Sequence, residues 1–98
     1  MQDTIGKIIK TLREHKQLTL KAAATALEID FSMLAKIEKG QRTVNNSLFG
    51  RLAILYEVDE KTLRICSLAE QVFNDVHEYE FAEDALKIVI NKIKEENK

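Results

Sequence analysis

The sequence predicts an all-α protein on three observations: proline is absent, glycine occurs only three times (Gly6, Gly40, Gly50), and apolar residues recur at helical rather than alternating spacing. A turn-rich β domain needs more of both punctuating residues. Six helices can be placed. The first is expected from about Thr4 to His15, capped by Asp3 or Thr4, because Ile5, Ile8, Ile9 and Leu12 form an i, i+3, i+4, i+7 stripe. Thr19 caps a short second helix, Leu20 to Ala26, and Asp30 a third, Phe31 to Lys39, which Gly40 closes in the left-handed conformation. Asn45 or Asn46 begins a fourth helix ending at Tyr56, with Leu48, Phe49, Leu52, Ala53 and Leu55 toward the core. Asp59 caps a fifth, running to about Phe73, whose apolar side carries Leu63, Cys66, Ala69, Val72 and Phe73. The last, roughly Tyr79 to Glu96, repeats apolar residues at Phe81, Ala82, Ala85, Leu86, Val89, Ile90 and Ile93. No internal repeat or low-complexity segment interrupts the series.

Composition narrows the functional classes. With 98 residues, 45% hydrophobic and 32% charged, the chain suits one small core. No stretch approaches the roughly 20 apolar residues of a membrane helix, and the start of the chain lacks a signal peptide's apolar core, so a cytoplasmic location is expected. A single cysteine, Cys66, has no partner for an internal disulfide or a metal set and is expected to be a buried, inert thiol. No metal, cofactor or small-molecule ligand is indicated. His15 and His77 lie far apart in sequence, at a helix end and in an inter-helix turn, and no Gly-rich phosphate loop or activated nucleophile occurs, which argues against an enzyme.

Net charge is only -1, but it is unevenly distributed. Residues 1–51 carry nine Lys or Arg against five acids, a net charge of +4, and the remainder carries six against eleven, a net charge of -5. A basic amino-terminal lobe attracts phosphates while an acidic carboxy-terminal lobe stays away from them.

The order of elements from Ile5 to Leu63 resembles the phage-repressor or XRE (Cro-like) family of helix-turn-helix regulators. The residues carrying the resemblance are Leu12-Arg13, Leu18-Thr19, Ala24, Leu27, Ile29, Ile37-Glu38-Lys39-Gly40 and Leu52-Ala53, spread over about three fifths of the chain. It implies a five-helix lambda-repressor-like DNA-binding domain at 1–63, with a helical extension at 64–98. Small stand-alone members of the family include restriction-modification controllers, phage-type repressors and antitoxins. The resemblance further implies that Arg13 and Glu38 form a structural ion pair joining helix one to the end of helix three.

The third helix would enter the major groove of duplex DNA, with its outer face, Phe31, Ser32, Ala35 and Lys36, against the base edges. Ser32 can exchange hydrogen bonds with either base type, Lys36 can donate to guanine, and Phe31 can pack on a thymine methyl. Phe31 is alternatively a core or staple residue, and Lys36 a phosphate contact. Donors for phosphate around that helix are Thr19, Lys21, Lys39, Gln41, Arg42, Thr43, Asn45 and Asn46. The amino termini of helices two and four add backbone N–H groups at a positive dipole end.

Three positions depart from the family pattern. Leu20 replaces a common glutamine at the start of helix two, Glu28 a turn glycine, and Val44 a proline. Without the glutamine the docking angle of the family does not transfer. Glu28 costs of order 1 kcal/mol if its φ is positive.

About 35 residues follow Leu63, too few for a usual sensor domain but enough for a helical pair that buries its stripe in a twin. Phe73, Phe81, Leu86, Val89, Ile90 and Ile93 are the expected dimerisation residues; alternatively these helices complete the monomer core. The expected function is that of a transcriptional repressor binding an inverted-repeat operator as a homodimer, with RNA polymerase a further partner if it also activates. The rival is a protein-interaction module or antitoxin of the same fold, which Leu20, Phe31 and Ala35 favour and Lys36, Lys39 and Arg42 oppose.

Overall fold

A computed structural model describes residues 3–98 as six helices: α1 (Ile5–His15), α2 (Leu20–Leu27), α3 (Phe31–Glu38), α4 (Leu48–Tyr56), α5 (Glu60–Val76) and α6 (Ala82–Glu96). No strand occurs among the described residues. Side-chain oxygens start three of these helices, each accepting a backbone N–H that the helix leaves unpaired. Thr4 accepts from Lys7, Thr19 from Ala22 and Asp59 from Thr62. Asp30 occupies the cap position of α3 with extended backbone, but its carboxylate makes no capping bond.

The first four helices all end with the chain turning through a left-handed residue, and the amide after it returns to the carbonyl five positions back. Only one of these residues is a glycine, Gly40 at φ +77; the others are Gln17, Glu28 and Glu57 at φ +59, +59 and +54. The returning bonds run from Leu18 to Arg13, Ile29 to Ala24, Gln41 to Lys36 and Val58 to Ala53. Glu28 does adopt positive φ, so the strain expected of a non-glycine turn is present.

The packed helix pairs are α2–α3, α4–α5, α1–α3, α2–α4 and α1–α5. They enclose a core whose fully buried side chains are Ile9, Leu27, Leu34, Ile37, Leu48 and Leu52. Ala23 and Ala24 are also buried, and their small side chains let α2 close on α3. Gly6 does the same for α1. A Cβ there would stand 2.5 Å from the Ile37 carbonyl oxygen and 2.8 Å from that of Glu38, so α1 crosses the end of α3 at a distance only glycine permits.

Several boundaries differ from the sequence expectation. Helix α3 stops at Glu38, with Lys39 as its cap rather than its last residue. Helix α4 begins at Leu48, because Asn45 Oδ1 folds back to accept the Leu48 N–H (3.1 Å) and holds the preceding residues in a turn. Helix α5 runs one turn past Phe73 to Val76 and is continuous through Leu63, while α6 begins at Ala82 rather than Tyr79. Cys66 packs against the core but is only half-buried, not the buried thiol expected.

Helix α5 closes one side of the core with its first turns, whereas α6 adds no buried residue. Leu63 is the only buried residue of α5, and α6 has none. The radius of gyration, 15.6 Å, exceeds the ~13 Å of a compact domain of this length, in keeping with an α6 that buries no residue.

Candidate nucleic-acid interface

Helix α3 is divided lengthwise by burial. Leu34, Ile37 and Glu38 face inward and are buried. Phe31, Ser32 and Lys36 face outward and are exposed, with Ala35 half-buried between them. Phe31 is 53% exposed, so it is not a core residue of the chain. The four positions therefore form one outward face on a helix fixed to the core from behind.

The expected phosphate donors frame this face. Thr19 stands at the amino end of α2, its hydroxyl bonded to the Ala22 N–H at 3.0 Å, and Lys21 is exposed two residues on. Lys39, Gln41, Arg42 and Thr43 are exposed on the segment that leaves α3 through Gly40. Asn45 and Asn46 are exposed as well, but their carbonyl oxygens are engaged within the chain. Asn45 Oδ1 accepts from Leu48 and from the Ser47 hydroxyl, and Asn46 Oδ1 accepts from Arg64. Their amide N–H groups are left as the available donors.

Among the described residues, Lys21, Lys36, Lys39 and Arg42 form no ion pair, whereas Arg13, Lys16 and Arg64 do. Arg51 is occupied too, donating to the Leu27 carbonyl at 3.0 Å where α2 ends. The cations flanking α3 are thus uncompensated, as are Lys7, Lys10, Lys61, Lys92 and Lys94 elsewhere among the described residues.

Arg13 and Glu38 are joined as the resemblance implied. Arg13 Nε donates to Glu38 Oε2 at 2.8 Å, Nη2 to Oε1 at 3.1 Å, and Nη1 to the Leu18 carbonyl at 2.8 Å. The side chains are 11% and 5% exposed, so the pair ties α1, the turn after it and the end of α3 together away from water. The hydrogen bond to Glu38 holds the Arg13 guanidinium above its ordinary pKa despite burial. Tyr56 stands close enough to feel both charges. Burial, and then the Glu38 carboxylate, push its phenol up to about 12, with Arg13 opposing.

Three supporting residues were not singled out from the sequence. Arg64 binds Glu60 one turn earlier, reaches the side chain and carbonyl of Asn46, and lies over the Phe49 ring at 4.8 Å. It fastens the loop before α4 to α5. Glu70 Oε2 accepts the Ile5 N–H at 3.1 Å, closing the amino end of α1 from α5. Gly6 is the third, letting α1 cross the end of α3 against the Ile37 and Glu38 carbonyls. An i, i+4 Glu60–Arg64 spacing was visible in the sequence, but nothing local pointed to Asn46 or Ile5 as partners.

No curated protein and no solved structure matches the chain. A family model described as a helix-turn-helix domain matches residues 5–64, which spans α1 to the start of α5. Helix-turn-helix domains bind DNA and are typically not enzymes, and no helix among the described residues is long and apolar enough to cross a membrane. With more than half of its length matched, and with a short capped pair, α2 and α3, meeting across the Glu28 turn, the chain belongs to the helix-turn-helix domain family.

Proposed function

We propose that the protein is a cytoplasmic transcriptional regulator of the phage-repressor or XRE type, which inserts α3 into the major groove and reads an inverted-repeat operator as a homodimer. The observation that carries this is the outward face of α3, Phe31, Ser32, Ala35 and Lys36, bordered by cations that no carboxylate neutralises. Ser32 and Lys36 supply hydrogen bonds to base edges, and Phe31 an apolar contact for a thymine methyl. Lys21, Lys39 and Arg42, with Thr19, Gln41, Thr43 and the amides of Asn45 and Asn46, hold the phosphates on either side.

Residues 1–63 form the DNA-binding unit, and residues 64–98 the dimerisation element, through Phe73, Phe81, Leu86, Val89, Ile90 and Ile93. A two-fold pair places the reading helices about 34 Å apart, one turn of DNA. Occupying an operator in this way represses by excluding RNA polymerase; contact with polymerase from an upstream site would activate.

A second reading is a protein-interaction module or antitoxin of the same fold, favoured by the exposure of Phe31 on the face that would meet DNA. Salt titration of binding to random duplex DNA separates the two. With roughly six phosphates neutralised per dimer, the logarithmic slope is about -5, and a flat dependence would favour the interaction module. Lys39→Ala should weaken binding to all sequences alike, whereas Lys36→Ala should relax base preference.

A further inference from the structure

Helix α6 is amphipathic yet only lightly packed, with Ala82 and Leu86 half-buried beside α5 and the rest of its residues exposed. None of its fifteen residues is buried, and it belongs to none of the packed helix pairs. An isolated helix of this length is marginal in water, so its stability depends on what covers its apolar stripe. Of the twelve large apolar side chains exposed among the described residues, ten lie between Ile65 and Ile93. Four of them, Ile65, Leu68, Val72 and Phe73, line an open groove of about 650 Å³ between α5 and α6, walled further by Val76, Ala82 and Leu86.

We propose that this groove receives α6 of a second copy, and that the two α6 helices run antiparallel across a two-fold axis beside Val89. The proposal rests on the homodimer of the preceding section and adds its geometry. Charge sets the direction. Glu83 and Asp84 stand at the amino end of α6, after Glu78 and Glu80 in the turn before it, whereas Lys87, Lys92, Lys94 and Lys98 follow and outnumber Glu95 and Glu96 at the other end. Parallel pairing would bring the acidic ends together.

Antiparallel pairing instead brings Glu83 of each copy to the partner's Lys94. Glu83 and Lys94 are about three helical turns apart and so share one flank of the stripe formed by Ala82, Leu86, Val89 and Ile93. That register puts the axis between Ile88 and Val89. A stable interface takes about 800 Å² from each partner, roughly a tenth of a small protein's surface. The chain exposes 7580 Å² in all, and ten of the twelve large apolar side chains exposed among the described residues lie on α5, α6 and the turn between them.

The test uses cysteine pairs in a Cys66→Ala background, with oxidation on non-reducing gels and sedimentation equilibrium of the reduced proteins. Residue 89 lies within disulfide reach of its own copy across the axis, whereas the two copies of residue 82 are about 20 Å apart along the helices. Val89→Cys should therefore convert mostly to covalent dimer, and Ala82→Cys hardly at all. Glu83→Lys should weaken dimerisation at least tenfold, and adding Lys94→Glu should restore it. Cross-linking by both cysteines, or by residue 82 alone, would overturn the antiparallel register. A reduced dimer that neither cysteine cross-links would overturn the α6 interface but leave the homodimer standing. A monomer at all concentrations would overturn the homodimer itself.

Discussion

Replacing Arg13 by methionine leaves the Glu38 carboxylate, only 5% exposed, without the two bonds at 2.8 and 3.1 Å that compensate its burial. It also frees the Leu18 carbonyl that Arg13 Nη1 holds at 2.8 Å. Breaking a buried pair from one side costs about 3–5 kcal/mol, because the survivor keeps its desolvation penalty and loses its partner. In a domain of this size each kcal/mol moves the midpoint by ~4–8 °C, so the variant should melt at least about 12 °C lower. Arg13→Lys keeps the charge but not the two-pronged geometry and should fall between the two. Arg13→Met with Glu38→Leu removes both charges and should recover most of the loss. The assay is thermal and urea unfolding followed by circular dichroism. A loss below about 1 kcal/mol for Arg13→Met, the value of an exposed pair, would refute the reasoning. Loss of DNA binding by this variant would then report unfolding, not a missing contact.

Gly6→Ala should destabilise by about 1–3 kcal/mol in urea titration, since the added methyl meets the Ile37 and Glu38 carbonyls at 2.5 and 2.8 Å; an unchanged midpoint would mean that α1 can shift freely. Glu28→Gly should stabilise by up to about 1 kcal/mol in the same assay, because the residue sits at φ +59. The Thr62 hydroxyl and N–H hold the Asp59 carboxyl below the ordinary carboxylate range. A carboxylate lowered on folding contributes stability above its unfolded pKa and loses it as pH falls through the folded value. Asp59→Ala should accordingly be less stable than the parent near pH 6, with the difference shrinking below pH 4, measured as paired urea midpoints.

The architecture was legible where the signal is local. Thr4, Thr19 and Asp59 cap because their oxygens reach the third amide ahead, a property of short polar side chains that sequence shows directly. The start of α4 was legible in part: Asn45 reaches the third amide ahead, at Leu48, as a cap does, but the residues between stay in a turn, and Asn46 is held by Arg64, eighteen residues away. Gly6 reads as an isolated glycine in a helix until α3 is laid across it. The extent of α5 was underestimated because the helix continues past Phe73 with its residues facing solvent, so no change of periodicity marks its end.

The candidate interface was legible for a related reason. In a helix as short as α3, burying Leu34 and Ile37 leaves Phe31, Ser32 and Lys36 on the other side without further information. Asn45 is tied locally, to Ser47 and Leu48, whereas the tie on Asn46 comes from Arg64 and depends on the tertiary fold.

The central claim, that the outer face of α3 reads a specific sequence for a two-fold pair, is tested most directly by selecting bound sequences from a random duplex pool at fixed, moderate salt. The account predicts enrichment of one inverted repeat whose half-sites lie about one helical turn apart, centre to centre. A pool that stays random after repeated selection would contradict it and favour the interaction module.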